Sequence, residues 1–332
     1  VSGSPERLDV ELVVPIRRRR GEDVSDLVGS LTAVADVADV TVVDGSAADI
    51  EPSLRALLPT VVRVIPPEGP ATGNGKVRSV MTGVAAARHD RVVLADDDVR
   101  HDRSTLERIA SLLDSAAVVR PQNFSAPMPW HARWDTGRTL INRAFGSDFP
   151  GTLGVRRSAL LAAGGYDGDV LFENLELIRT IVAAGGREVR ADGVFVPRRP
   201  PTVAHFVGQR VRQAYDSSAQ PVRLVAELAL LPVILSSVRR PTRLLLIAAA
   251  AILVAEVGRR RDGGRSVFPP TAALWAPCWV GERAVCAWLA LLARAGGGAR
   301  YADGRLRRSA TPLHVLRERI RPAESEVLHV GT

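Results

Sequence analysis

The chain has 332 residues, of which 46% are hydrophobic and 24% charged, a composition that excludes wholesale disorder and is enough to bury one large or two ordinary domains. Its net charge of +8 is carried almost entirely by arginine, with Lys76 the only lysine, which favours anionic partners such as phosphates or a lipid surface. Cys278 and Cys286 share one apolar stretch without metal-ligand spacing, so a disulfide framework is excluded and both thiols are read as reduced. Basic residues interleaved with aromatics are absent, which argues against nucleic acid as a partner. The first nine residues contain no apolar core of a signal peptide, so residence on the cytosolic side is expected.

Residues 8–16 are rich in Val, Leu and Ile and end at Pro15 before the run Arg17 to Arg20, the pattern of a strand entering a charged loop. Residues 26–35 place Leu27, Val28, Leu31 and Val34 at helical spacing, and residues 39–43 return to strand character before Asp44-Gly45-Ser46. A second unit follows: residues 53–58, a strand at 61–65, a Pro- and Gly-rich loop, a helix at 77–87 and an apolar strand from Arg91. Alternation of this size predicts a doubly wound α/β sheet, whose ligands gather at the C-terminal strand ends.

The fourth strand empties into Asp96, Asp97 and Asp98. Taken alone, the triplet reads either as a solvated acidic turn or as a site for a cation. If the segment stays extended, Asp96 and Asp98 share one face and reach one divalent ion, while Asp97 points away. Helix 104–113 and strand 116–120 come next. Residues 121–150 mix Trp130, Trp134, Phe145 and Phe149 with Pro, Asn and Arg and predict loops or short helices beside the site. Strand 151–157, helix 158–163, the turn Gly164-Gly165-Tyr166-Asp167, helix 173–184 and strand 187–196 complete a first domain over residues 1–201.

After Pro200-Pro201 the character changes. Residues 202–223 predict an amphipathic helix at a membrane interface, with Phe206, Val207 and Val211 beside Arg210 and Arg212. Residues 224–295 hold three apolar stretches, at 224–238, 244–257 and 271–295, with arginines between them. The first two are shorter than the roughly 20 residues of a straight span, so a hairpin packed inside a protein stays open as an alternative to membrane association. Residues 296–332 read as a basic, poorly packed tail.

Five pieces in order are similar to the membrane-associated, inverting family 2 glycosyltransferases of the GT-A fold. They are Val13-Val14-Pro15-Ile16 leading to Val42-Val43-Asp44-Gly45-Ser46; Gly73-Asn74-Gly75-Lys76; Leu94-Ala95-Asp96-Asp97-Asp98; Gly164-Gly165-Tyr166-Asp167 with Glu173-Asn174-Leu175-Glu176; and Gln209-Arg210-Val211-Arg212-Gln213. The resemblance spans about residues 8–215. It implies a nucleoside-diphosphate sugar donor, bound by Pro15, Asp44, Lys76, Arg78, Asp96, Gln209 and Arg212. It further implies Mg²⁺ or Mn²⁺ held by Asp96 and Asp98, which would neutralise the leaving diphosphate as a Lewis acid, and a catalytic domain on the cytosolic face of the cytoplasmic membrane.

Departures from the family pattern shape the expectation. Where the family places its general base, an Asp after Glu, this chain has Glu173-Asn174, and an amide cannot take up a proton at neutral pH. Three readings follow: Glu173 takes the role; the acceptor is a polyprenyl phosphate, already anionic; or the protein binds the donor without turning it over. Gln213 stands where the family's signature has tryptophan, removing a stacking surface for the acceptor. The leading expectation is transfer of one sugar to a lipid-linked or membrane-embedded acceptor of a cell-envelope glycan. A nucleotidyltransferase on a similar sheet would want its Gly-Lys loop after the first strand, where Pro15 and the arginine run lie instead.

Overall fold

The computed structural model describes residues 7–50, 52–70, 73–301 and 304–320. Strands β1 (Glu11–Ile16), β2 (Asp39–Asp44), β3 (Arg63–Ile65) and β4 (Arg91–Ala95) alternate with helices α1 (Ser25–Ala35), α2 (Leu54–Leu57) and α3 (Gly75–Ala86). The chain continues through α4 (Arg103–Leu112), β5 (Val118–Ser125), α5 (Trp130–Phe145), β6 (Thr152–Arg156), α6 (Arg157–Ala162), α7 (Glu173–Ala183) and β7 (Glu188–Arg198). The seven strands form one sheet in the order β3-β2-β1-β4-β6-β5-β7, with β6 antiparallel to both neighbours. A mixed α/β sheet followed by apolar helices is the GT-A-like architecture that the resemblance implied.

Period-two alternation explains why both faces of the sheet are covered. Leu12, Val14, Val40 and Val42 join one core with Leu31 of α1 and Ile109 of α4, while Val13, Val43, Val92 and Leu94 join the other with Val84 of α3 and Ile178 of α7. Glu11, which interrupts the apolar pattern of β1, is almost fully buried. Its carboxylate accepts from Thr41 Oγ1 at 2.5 Å, from Arg63 at 2.7 Å and from the Arg88 amide at 2.5 Å, so the buried charge is paired and hydrogen-bonded. Because β1 lies between β2 and β4, the strand order reverses there, and Ile16, Asp44 and Ala95 end on one edge of the sheet.

Residues 121–150, expected to form loops or short helices, contain the 16-residue α5. Its buried face includes His131, Thr136, Thr139 and Arg143, so a periodicity of apolar residues could not announce it. Arg143 donates to Gly258 O, Gln122 Oε1, Asp192 O and Arg261 O at 2.7 to 3.1 Å, tying α5 to both the sheet and the C-terminal helices.

The predicted interface helix over 202–223 is instead two short helices, α8 (Val203–Gly208) and α9 (Arg210–Asp216). Its basic residues turn inward rather than toward headgroups: Arg210 is buried and pairs with Asp135 and Glu282. Helices α10 (Pro221–Ser237), α11 (Pro241–Arg260) and α12 (Ala276–Ala295) follow. The helical segments Pro241–Ser266 and Pro270–Ala295 are long and apolar enough to cross a membrane, and little of the first is buried. Leu245, Leu246 and Leu253 of α11 and Leu289 and Leu292 of α12 face outward. On the inner side, α11 meets α5 closely at Gly258, where a Cβ would lie 1.8 Å from Leu140 O. Both cysteines are free thiols.

The expected loose tail is also corrected. Strands β8 (Ala299–Tyr301) and β9 (Gly304–Leu306) pair antiparallel, and helix α13 (Leu313–Ile320) follows. They pack because they satisfy buried groups of the first domain. The Leu171 and Phe172 amides donate to Arg308 O and Ser309 O, and the Thr311 amide donates at 2.5 Å to Glu176, whose side chain is fully buried. The rest of the predicted tail, 321–332, lies outside the described residues.

Candidate active site

The Asp triplet leaves β4 in a turn, not in the extended form that was expected. Asp96 N donates to Gly151 O at 2.8 Å and Val99 N returns to Asp96 O at 3.0 Å, which ends the alternation of side chains. Asp96 and Asp98 are consequently held by different cations: Asp96 Oδ1 lies 2.5 Å from Lys76 Nζ, and Asp98 Oδ2 lies 2.5 Å from Arg198. Both still line one cavity of about 350 Å³. Gly151 allows this arrangement, since a Cβ there would sit 2.3 Å from Asp96 Oδ2.

Lys76 is presented by the start of α3, where Asn74 caps the helix through the Lys76 amide. Its ammonium bridges Asp96 and Glu173 Oε1, each at 2.5 Å. Burial opposes the charge on Lys76, but the two carboxylates outweigh it and hold the ammonium well above its ordinary range. Burial pushes the Glu173 carboxyl up, with Lys76 pulling against it and Asp96 adding to the rise. Tyr166 OH lies 3.4 Å from the second Glu173 oxygen.

The candidate residues separate into three places. Asp96, Asp98, Asn174, Gln209 and Arg212 line the large cavity. Pro15, Lys76 and Glu173 border a void of about 10 Å³ behind it, which Asp96 and Asn174 also touch. Asp44 and Arg78 line neither: Asp44 Oδ1 accepts from the Ser46 amide at 2.9 Å, and Arg78 donates to Pro67 O at 2.5 Å. The Asn174 amide is engaged with Pro150 O at 3.0 Å. Gln209 meets His205, and the Arg212 guanidinium stands 5.4 Å over the Tyr301 ring.

Several cavity residues escaped the sequence reading. Arg138 bridges Asp135 at 3.2 Å and Asp148 at 2.8 Å, and these carboxylates stay below the usual range because Arg138, joined by Arg210 at Asp135, offsets their burial. Asp216 sits at the end of α9, where burial pushes its carboxyl up to about 7 against the pull of Arg212 and Arg283. Their only sequence signal is a charged residue inside a segment read as irregular or as an amphipathic helix.

The carboxylates at the turn fit a divalent ion. Asp98 Oδ1 is buried with no hydrogen-bond partner, and a hard cation seeks such an oxygen beside a second carboxylate. No group of three His, Cys, Asp or Glu side chains gathers for a metal among the described residues, so an ion held here would take its other ligands from outside the protein.

A model of the family described as glycosyltransferase like family 2 matches residues 10–216. No curated protein matches the chain. Among solved structures, the chain is similar to the mannosyltransferase PcManGT of Pyrobaculum calidifontis in complex with GDP-Man and Mn²⁺, at 19% identity over 90% of this chain and 78% of that one, with a TM-score of 0.47. It is also similar to glucosyl-3-phosphoglycerate synthase of Mycobacterium tuberculosis in complex with Mn²⁺ and UDP-glucose, at 16% identity over 60% of this chain and 73% of that one, with a TM-score of 0.40.

Proposed function

The chain belongs to glycosyltransferase like family 2, and from that membership we propose that it transfers a sugar from a nucleoside-diphosphate sugar to a lipid-linked or membrane-embedded acceptor, with inversion. The observation that carries this reading is the polar cavity of about 350 Å³ that opens on Asp96, Asp98 and Arg212. Carboxylates for a metal and cations for a diphosphate there face the space an acceptor must enter.

In this reading Asp96 and Asp98 hold Mg²⁺ or Mn²⁺, which supplies Lewis-acid neutralisation of the departing diphosphate when bound. Lys76 and Arg212 are the cations that contact the donor phosphates, as point charges whose attraction grows in a water-poor site. Pro15, Asp44, Arg78 and Gln209 complete the donor site, with Asp44 and Arg78 toward the nucleoside, beside the loop that holds Pro67. Glu173 is the general base for an acceptor hydroxyl. Burial raises its carboxyl, the direction that favours proton uptake, and Lys76, once drawn to phosphate, releases Oε1 for that task. Asn174 positions the segment by its bond to Pro150 O. The long apolar helices support attachment to the cytoplasmic membrane, with the α/β domain on the cytosolic side.

The engaged Asn174 amide and the Glu173 ion pair also favour a second reading, a polyprenyl phosphate acceptor that needs no base. The test of the function is incubation of full-length protein in lipid with a panel of nucleotide sugars and Mn²⁺ or Mg²⁺. Metal-dependent release of nucleoside diphosphate is expected; donor binding without release in the presence of acceptor lipids would leave only a binding protein.

A further inference from the structure

The part of the cavity bounded by α9, α10 and α12 holds a second set of polar groups that donor chemistry does not use. Arg283 lies in the middle of the apolar helix α12, yet its side chain is fully buried and lines the cavity. None of its three guanidinium nitrogens has a hydrogen-bond partner, and its ion pair with Glu227 is loose at 3.8 Å. Besides Glu227 the guanidinium meets only the Trp279 ring among the described residues, 5.2 Å from its centroid, so it lacks the hydrogen bonds that a buried charge needs, and a charged residue held inside an apolar helix points to function. Acceptor atoms nearby are equally unsatisfied: Asp216 Oδ1 and Gln213 Oε1, both on cavity-lining residues, and Glu227 Oε2.

The chemistry of the missing partner follows from this mixture. Unsatisfied donors on Arg283 thus stand among unsatisfied acceptors on Asp216, Gln213 and Glu227. A phosphate would satisfy the guanidinium but face the carboxylate and amide oxygens with its own negative charge. A metal ion would do the reverse. A polyhydroxyl group both donates and accepts at each oxygen, so it satisfies donors and acceptors together without adding charge.

We infer that this region is a subsite for an uncharged sugar unit of the acceptor, with Arg283 donating to its hydroxyls and Asp216 and Gln213 accepting from them. The inference rests on the transferase reading and deepens it: the acceptor carries sugar already, so the attacking group is a hydroxyl and a base is required. A bare lipid phosphate would leave this subsite unused.

Saturation-transfer NMR on the full-length protein in lipid nanodiscs tests it, using methyl glycosides of glucose, mannose, galactose and N-acetylglucosamine, each with and without a nucleotide sugar, and farnesyl phosphate as the rival probe. At least one glycoside should receive saturation from the wild type, and its affinity should fall about tenfold in Asp216→Asn, the scale of one hydrogen bond. Arg283→Lys should act in the same direction. Unchanged nucleotide-sugar affinity, read by calorimetry, certifies that each variant is folded. Binding of farnesyl phosphate with no glycoside bound, or equal glycoside affinity in wild type and Asp216→Asn, would overturn the subsite. Glycoside binding in a protein that binds no nucleotide sugar would sink the transferase reading and leave the subsite standing.

Discussion

Replacing Lys76 with Met removes one ammonium from between two carboxylates, and the cost can be worked from its surroundings. Asp96 and Glu173 each lie 2.5 Å from Nζ, with Glu173 nearly buried and the Lys76 and Asp96 side chains 26% exposed. Removing one partner of a fully buried ion pair costs about 3–5 kcal/mol. The partial exposure places Lys76→Met at the lower end, near 3 kcal/mol, which is about 6–12 °C in melting temperature for a domain of this size. The loss should also depend on pH. Burial already raises the Glu173 carboxyl above its ordinary 4.5, and without Lys76 only the Tyr166 hydroxyl opposes that rise. A carboxyl with a raised folded-state pKa contributes stability that is present below its unfolded value and lost as pH rises through the folded one. Melting of the full chain in detergent should show a deficit for Lys76→Met that is smaller at pH 5 than at pH 8, with Lys76→Arg much less affected. A deficit equal at both pH values, or no deficit, would refute the account of Lys76 as the counter-ion of a buried carboxylate.

Asp98→Asn should abolish metal-dependent donor binding in calorimetry, while Asp97→Asn should matter less; equal losses, or donor affinity unchanged in a chelator, would count against the metal assignment. Glu173→Gln should cut turnover by roughly 100-fold or more while sparing donor affinity, the scale of a removed general base, and wild-type turnover in this variant would end that role. Cutting the chain after Gly298 should destabilise the α/β domain by about 3 kcal/mol or more, because fully buried Glu176 loses the Thr311 amide; a truncated protein that melts like the full chain would show that this segment only rests on the surface. The full-length chain should need detergent or lipid to remain monodisperse, given the outward Leu245, Leu246 and Leu253, and size-exclusion chromatography without detergent decides this.

The parallel half of the sheet was legible because its signals are local. Strands such as Val40 to Val43 and the helix carrying Leu27 and Leu31 declare their periods within a few residues, and Asp44 and Asp96 to Asp98 mark strand ends where ligands collect. Order along the chain also placed the family motifs, and with them Lys76, Glu173 and Arg212. Three things needed the tertiary structure. Helix α5 buries Arg143, whose partners Gln122, Asp192 and Gly258 are remote in sequence, and His131, which meets Pro201 O, so no local pattern could show that face as interior. The segment after Gly298 looks like a loose basic tail until Arg308 O and the Thr311 amide are seen to meet buried groups of α7 and the loop before it. Arg283 reads as a flaw in an apolar helix, and only packing against α9 and α10 makes it the wall of a cavity. Sequence by itself determined the elements whose stability is written in neighbouring side chains; the fold decided every charge whose compensation comes from across the chain, because burial and pairing are properties of distance in space.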